Sequence, residues 1–192
     1  MLDQLKNKKL IKENPWPKYP PSNLVLAQNP RTKKKRLCVD YRKLNLALNH
    51  NYFPLPEKAQ LFENLGRVKQ KTYLSKFDIL SCFHNYELSE EDKELTSFYT
   101  KDSVYMFNVL PFGIVSAPNI VQKEMQSVYL SEQEKYRGNS SLELFIDDIL
   151  LQNPDMNKGL KDMKELFQRT REAGLILKFE KAEFFLDENV EF

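Results

Sequence analysis

Residues 142–151 read Leu142-Glu143-Leu144-Phe145-Ile146-Asp147-Asp148-Ile149-Leu150-Leu151: two adjacent carboxylates inside a segment that is otherwise almost wholly apolar. Two-residue hairpin turns favour Asn-Gly or Asp-Gly, and no glycine is present here. Two anions held side by side at the end of a buried sheet cost on the order of several kcal/mol per charge unless a cation neutralises them. An exposed turn, with both aspartates facing water, is the plainer alternative. A third carboxylate stands upstream. Residues 73–78 alternate, with Tyr73, Ser75 and Phe77 on one face and Leu74, Lys76 and Asp78 on the other, the period of a strand that ends on Asp78. Three aspartates at two neighbouring strand ends could hold a pair of Mg²⁺ ions, which prefer hard oxygen ligands and substrate phosphates. Two such ions about 4 Å apart clamp the attacking and leaving oxygens of an in-line phosphoryl transfer.

The composition permits such a site. The 192 residues, 41% hydrophobic and 29% charged, suffice for a buried core and exclude a disordered tail. No run approaches the roughly 18 apolar residues of a membrane span. The lysine-rich start (Lys6, Lys8, Lys9) has no apolar stretch behind it, so no secretory signal is expected either. Two cysteines far apart, Cys38 and Cys82, exclude a disulfide framework and suit a reducing, intracellular compartment, cytoplasm or nucleus. Two histidines, His50 and His84, leave no structural zinc site. The net charge of +2 hides an asymmetry: residues 1–71 hold 16 Lys/Arg against 5 Asp/Glu, and residues 72–192 hold 13 against 22. One half is suited to a polyanion, the other to metal ions or solvent.

The elements that would position these residues follow from periodicity and punctuation. The first twenty-odd residues, polar and then proline-rich, read as an extended arm. Residues 24–27 and 37–39 read as strands joined by the basic turn Arg31-Thr32-Lys33-Lys34-Lys35-Arg36, a hairpin with a cationic tip. Residues 57–65 form a short helical pattern closed by Gly66. Residues 96–100 and 105–109 bracket a turn at Lys101-Asp102-Ser103. Ser116, with Pro118 just inside, opens a helix through about residue 136. Residues 142–146 and 149–152 are strands on either side of Asp147-Asp148. Asn157 is placed to cap a helix with Leu160, Met163, Phe167 and Thr170 on one face, ending at Gly174. Strands at 175–179 and 184–186 finish the chain. The order is mixed α+β.

Taken in sequence, six blocks stand out. They are Arg36-Leu37-Cys38-Val39-Asp40-Tyr41-Arg42-Lys43-Leu44-Asn45, Phe77-Asp78-Ile79-Leu80-Ser81-Cys82-Phe83-His84, Leu110-Pro111-Phe112-Gly113-Ile114 with Ala117-Pro118, Phe145-Ile146-Asp147-Asp148-Ile149-Leu150, Arg171-Glu172-Ala173-Gly174-Leu175, and Glu180-Lys181 with Phe184-Phe185. Preceded by Pro15-Trp16, this series resembles the reverse transcriptase domain of retroviruses and long-terminal-repeat retrotransposons, nearest the gypsy-like class. The resemblance implies a polymerase palm, an antiparallel sheet with helices packed on one face, plus partial fingers. It divides the chain into an N-terminal arm and fingers part (residues 1–72) and a palm (73–192) with residual fingers elements around 85–110.

By that resemblance the activity is RNA-directed DNA polymerisation on an RNA or DNA template-primer with deoxynucleoside triphosphates. Asp78, Asp147 and Asp148, with the Ile79 carbonyl, would bind two Mg²⁺ ions, or Mn²⁺ in their place. Arg36 matches the arginine that contacts the triphosphate, and a guanidinium fork suits phosphate oxygens. Phe83 stands where an aromatic ring excludes the ribose 2′-hydroxyl, and Gly113 also faces the nucleotide. Asp40, Arg42, Pro111 and Phe112 fall in template-contacting blocks. Lys181 matches the lysine that can donate a proton to pyrophosphate, with Lys178 as a neighbouring substitute.

Departures from the pattern stand at Phe145 (usually Tyr), Cys82 (usually Gly), Gln28-Asn29 (where a lysine is usual), Ala182 (Cys) and Leu95 (Lys). The resemblance further implies that the family continues beyond this chain into a primer grip, a thumb and, as parts of a pol polyprotein, ribonuclease H and integrase. Weak template-primer binding and low or absent activity of the isolated chain are expected on that basis. Two other readings remain open: a decayed or domesticated element fragment that keeps only nucleic-acid or protein binding, and an RNA-directed RNA polymerase, which Phe83 opposes.

Overall fold

A computed structural model describes residues 2–28, 30, 33, 35–48, 53–57, 59, 63–65, 72–130 and 140–186. The elements run α1 (Leu2–Asn7), β1 (Ile11–Glu13), β2 (Asn23–Gln28), β3 (Lys35–Asp40), α2 (Arg42–Ala47), β4 (Tyr73–Asp78), a 3₁₀ turn (Cys82–Asn85), α3 (Glu90–Leu95), β5 (Phe98–Tyr99), β6 (Val104–Phe107), α4 (Ala117–Leu130), β7 (Ser141–Phe145), β8 (Asp148–Asn153), α5 (Met156–Glu172), a second 3₁₀ turn (Phe179–Lys181) and β9 (Glu183–Leu186). The chain divides into two compact units, residues 1–51 with 83–117, and residues 52–82 with 118–192.

In the first unit, β1, β6 and β5 form an antiparallel sheet in that order, with Ile11 opposite Phe107 and Phe98 opposite Tyr105. Ile11, Phe98, Tyr105, Phe107 and Val109 are its buried core, against which Leu2, Leu5, Leu10, Leu24 and Val39 pack. This corrects the extended arm for residues 2–13: spaced leucines and Ile11 gain more from burial than their polar neighbours lose, so the segment forms α1 and β1. The basic hairpin is present, with Asn23 opposite Asp40 and Gln28 opposite Lys35. Its tip residues Arg31, Thr32 and Lys34 lie outside the described residues. Ser89 opens α3 by accepting the Asp92 N–H at 3.1 Å, and Glu90, Glu91 and Asp92 follow at the positive end of the helix.

In the second unit, the antiparallel sheet has the order β7-β8-β4-β9. Ser75, Phe77, Leu142, Leu144, Ile149, Leu151 and Asn153 alternate onto one face, and all are buried. Helix α5 covers that face: the Phe77 ring meets Phe167 edge-on at 5.6 Å, and Asn153 Nδ2 donates to Asp162 Oδ2 at 2.7 Å. Helix α4 lies against α5, with the Tyr129 and Thr170 hydroxyls 2.9 Å apart. Val121, Met125 and Tyr129, four residues apart along α4, have no exposed surface. The helix expected over residues 57–65 falls largely outside the described residues, as does any part of α4 beyond Leu130 up to residue 139. The strand expected at 175–179 reduces to a single bridge, Leu177 to Ile79, because the chain turns into the 3₁₀ segment at Phe179.

Helix α5 begins two residues earlier than expected, at Asp155, not Asn157. The Asp155 carboxylate accepts the Lys158 N–H at 2.9 Å, and an anion at this end also meets the favourable helix dipole. It ends as expected at Gly174, whose φ of +68° is left-handed. Gly174 N–H bonds Arg171 O at 3.0 Å and Leu175 N–H bonds Thr170 O at 2.9 Å, the paired pattern of a Schellman cap. A Cβ at Gly174 would touch nothing, so only the backbone conformation demands glycine. Asp155→Ala and Gly174→Ala should each lower stability in urea by about 1 kcal/mol. An unshifted unfolding midpoint in either variant would show that this end of α5 does not rest on its cap.

Candidate active site

Strands β4 and β8 carry the acidic residues. Their register sets Phe77 opposite Ile149 and Asp78 opposite Asp148. Directly opposed residues of an antiparallel pair point to the same face with Cβ atoms about 5 Å apart. Asp78 and Asp148 therefore share the sheet face opposite to the buried one. Asp147 immediately precedes Asp148, in the β7–β8 turn, and its carbonyl accepts the Ile79 N–H at 3.0 Å. The four positions singled out as metal ligands, Asp78, Ile79, Asp147 and Asp148, thus sit at one end of one sheet.

The side chains are not closed around a common point. Among the described residues, no three Asp, Glu, His or Cys side chains are gathered so as to hold a metal ion as they stand. Asp78 is turned to Lys181 instead, with Nζ to Oδ2 at 2.6 Å. Lys181 reaches it because Lys178 N–H bonds the Asp78 carbonyl at 2.8 Å and Lys181 N–H bonds the Lys178 carbonyl at 3.0 Å, which lays the 3₁₀ turn beside the strand end. Of the two lysines considered from sequence, Lys181 is the one at the carboxylates. Asp78, by accepting its hydrogen bond, holds the Lys181 ammonium above the ordinary lysine range. Burial pushes the Asp147 carboxyl above its usual range, the charges of Asp148 and Asp78 push it further, and Lys181 partly opposes them. Three carboxylates against one ammonium leave excess negative charge at a partly buried sheet end. The donors are all hard oxygens, so the set fits a hard divalent cation.

The turn differs from expectation. Asp148 already belongs to β8, opposite Phe145, so the two turn residues are Ile146 and Asp147 rather than the two aspartates. Ile146 has φ +56°, a left-handed conformation that costs a β-branched residue about 1–3 kcal/mol. Gln122 of α4, which is not among the residues singled out from the sequence, meets this turn. Its signal was there: a polar residue beside Val121 on the face that also carries Met125 and Tyr129.

The remaining candidates belong to the first unit. Arg36 stands on β3 opposite Ala27, and its side chain lies outside the description. Asp40 and Arg42 form a two-point fork, Nε to Oδ1 at 2.8 Å and Nη2 to Oδ2 at 2.7 Å. The Arg42 hydrogen bonds hold the Asp40 carboxyl down at about 2. The pair neutralises itself, so together they present no net charge to a polyanion. Phe83, in the first 3₁₀ turn, has its ring 4.8 Å from that of Phe112, which is exposed and lies 5.2 Å from the His84 ring. Pro111 is buried. Gly113 has φ +95°, and a Cβ there would make only ordinary contacts of 3.6 Å with Tyr41 and the Val39 carbonyl. Within the chain, glycine is needed at this position for its dihedral. Asn45 fixes the same turn by donating to the Gly113 carbonyl at 2.8 Å and accepting from the Val115 N–H at 3.0 Å.

The family model described as "Reverse transcriptase (RNA-dependent DNA polymerase)" matches residues 18–192. The chain belongs to the reverse transcriptase family. The Retrovirus-related Pol polyprotein from transposon 412 of Drosophila melanogaster is 38% identical over 160 residues, which is 83% of this chain and 12% of that protein. The Enzymatic polyprotein of Cauliflower mosaic virus (strain Strasbourg) is 30% identical over 185 residues, 96% of this chain and 26% of that one. This reverse transcriptase segment therefore spans about a quarter or less of those relatives. Among solved structures, the foamy viral protease-reverse transcriptase in complex with double-stranded DNA superposes with a TM-score of 0.81 at 19% identity, covering 100% of this chain and 37% of that one. The same viral enzyme in complex with an RNA/DNA hybrid gives 0.78 at 18%, covering 95% and 23%. These likenesses establish the fold, a palm-and-fingers type of reverse transcriptase architecture. No helix among the described residues is long and apolar enough to cross a membrane.

The crowded aspartates have a measurable consequence. A carboxyl whose folded pKa is raised is stabilising only when protonated, and that stabilisation is lost as pH rises through the folded value. Ionised Asp147 therefore destabilises the metal-free reverse transcriptase chain at neutral pH. Asp147→Asn should raise its melting temperature in a chelator at pH 7 by about 2–4 °C, and the gain should shrink as pH falls towards the carboxyl range. A lower melting temperature for the variant at pH 7 would contradict the electrostatic account.

Proposed function

We propose that this chain carries the nucleotidyl-transfer site of an RNA-directed DNA polymerase, which adds deoxynucleotides to a primer 3′-hydroxyl on an RNA or DNA template. The observation that supports it most is the register pairing of Asp78 with Asp148, with Asp147 in the adjoining turn. In the reaction the primer 3′-oxygen bonds to the α-phosphorus of the incoming triphosphate, the bond from that phosphorus to the bridging oxygen breaks, and pyrophosphate leaves. Asp78, Asp147 and Asp148, with the Ile79 carbonyl, would hold two Mg²⁺ ions, or Mn²⁺ in their place. When bound, such ions favour ionisation of the primer hydroxyl and neutralise charge on the α-phosphate.

Lys181, protonated at Nζ, stands ready to leave Asp78 and give its proton to the departing pyrophosphate. Arg36 offers a fork of donors to the triphosphate oxygens. Phe83 closes the space of a ribose 2′-hydroxyl, and Gly113 lets backbone approach the nucleotide. The blocks that carry Asp40, Arg42, Pro111 and Phe112 belong to the template side, where the exposed ring of Phe112 is the group able to touch a base. The remaining domains of a pol polyprotein are the natural partners of this segment.

Single-nucleotide addition to a DNA primer on an RNA template tests the reading, with protein in excess over primer at low salt so that weak binding does not mask chemistry. Deoxynucleotide addition should require a divalent ion and fall by roughly a hundredfold or more in Asp147→Asn. Phe83→Val should raise ribonucleotide incorporation relative to deoxynucleotide by about tenfold. Addition that survives Asp147→Asn would overturn the proposal.

A further inference from the structure

Gln122 has no exposed surface, on a helix face it shares with Val121, Met125 and Tyr129. A buried primary amide is costly unless it is bonded, and at this position an apolar side chain would fill the space without that cost. Its two bonds go to one place. The Gln122 oxygen accepts the Ile146 N–H at 2.7 Å, and its amide nitrogen donates to the Leu144 carbonyl at 3.2 Å. One side chain thus grips the backbone on both sides of Phe145, where β7 ends and the turn to Asp147 begins.

The residue at the end of that grip is the strained one. Ile146, with φ +56°, takes the first of two turn positions, a place where hairpins normally use glycine if φ is positive. Isoleucine is among the least suited side chains to that conformation. Nothing in the local sequence favours it, so a contact from elsewhere must hold it.

We propose that Gln122 is a positioning residue for the acidic turn: its amide holds Ile146 in the left-handed conformation and thereby sets where the carboxylates of Asp147 and Asp148 stand relative to Asp78. The metal-binding part of this inference rests on the polymerase reading above, whereas the backbone part does not. Without the amide, Ile146 relaxes to negative φ and the path of the chain through Asp147 changes.

Two readouts test this in the intact chain: hydrogen exchange at the Ile146 amide, and Mn²⁺ affinity by electron paramagnetic resonance. In Gln122→Met, close in volume but unable to bond, Ile146 exchange should quicken by about a hundredfold, and Mn²⁺ affinity should fall about tenfold. In an Ile146→Gly background, where positive φ is free of strain, the same substitution should weaken Mn²⁺ binding by less than about threefold. A general packing defect would give equal losses in both backgrounds, and that result overturns the proposal. So does unchanged Ile146 exchange in Gln122→Met. If Gln122→Met does not fold, Gln122→Glu keeps an oxygen facing the Ile146 amide: retained protection supports the clamp, and lost protection overturns it. Failure of the unaltered chain to bind Mn²⁺ would strike the reading of the aspartates instead, leaving Ile146 exchange to decide the clamp.

Discussion

The antiparallel register of β4 against β8 is the constraint on which the acidic site depends. Side chains alternate with a period of two, so setting Asp78 opposite Asp148 also sets Phe77 opposite Ile149 and Ser75 opposite Leu151. A slip of one residue would carry a carboxylate into the face that α5 covers and bring Phe77 out of it. The register is thus held by apolar burial on one face, and the carboxylates on the other face inherit their position. Like charges in direct opposition repel, and the pair persists because the fully buried Phe77, Ile149 and Leu151 leave the strands no other alignment.

The electrostatics of the site follow from that imposed proximity. Asp147 is pushed towards its neutral form by burial and by its two acidic neighbours, and the ammonium of Lys181 is the cation that counters them within the described structure. Lys181 comes from a segment over a hundred residues away from Asp78, laid alongside by the backbone bond from Lys178 to the Asp78 carbonyl. Its placement against Asp78 means that a metal ion entering the site competes with an internal cation. In the first unit the balance is different. There Asp40 and Arg42, two residues apart, satisfy one another through a fork of hydrogen bonds, and the charge of that block is already spent locally.

Strain and polarity meet at the β7–β8 turn. A sequence that must end a strand, reverse and present a carboxylate within two residues has little conformational choice, and Ile146 takes a dihedral it does not favour. The compensating interaction comes from a helix, where Gln122 accepts one backbone N–H and donates to one carbonyl. A local rule broken at a site and repaired from a distant element is the pattern expected where function constrains geometry.

Several features were legible from the residues alone. Alternation between Tyr73 and Asp78, the apolar runs flanking Asp147-Asp148, the hairpins around the basic turn and around Lys101-Asp102-Ser103, and the glycine stop at Gly174 are all local patterns, written in neighbours one to four positions apart. The ordered motifs, together with the family match, placed the chain among the reverse transcriptases. What the local pattern could not contain was the identity of distant partners. The burial of Leu2, Leu5 and Ile11 required the β5–β6 strands. The positive φ of Ile146 depended on Gln122, and the pairing of Asp78 with Lys181 on the 3₁₀ turn at Phe179–Lys181. Sequence by itself determined which residues can do chemistry and on what elements they ride, because side-chain type and period are local properties. Only the tertiary structure decided which of them touch, because contact depends on register and packing between segments far apart in the chain.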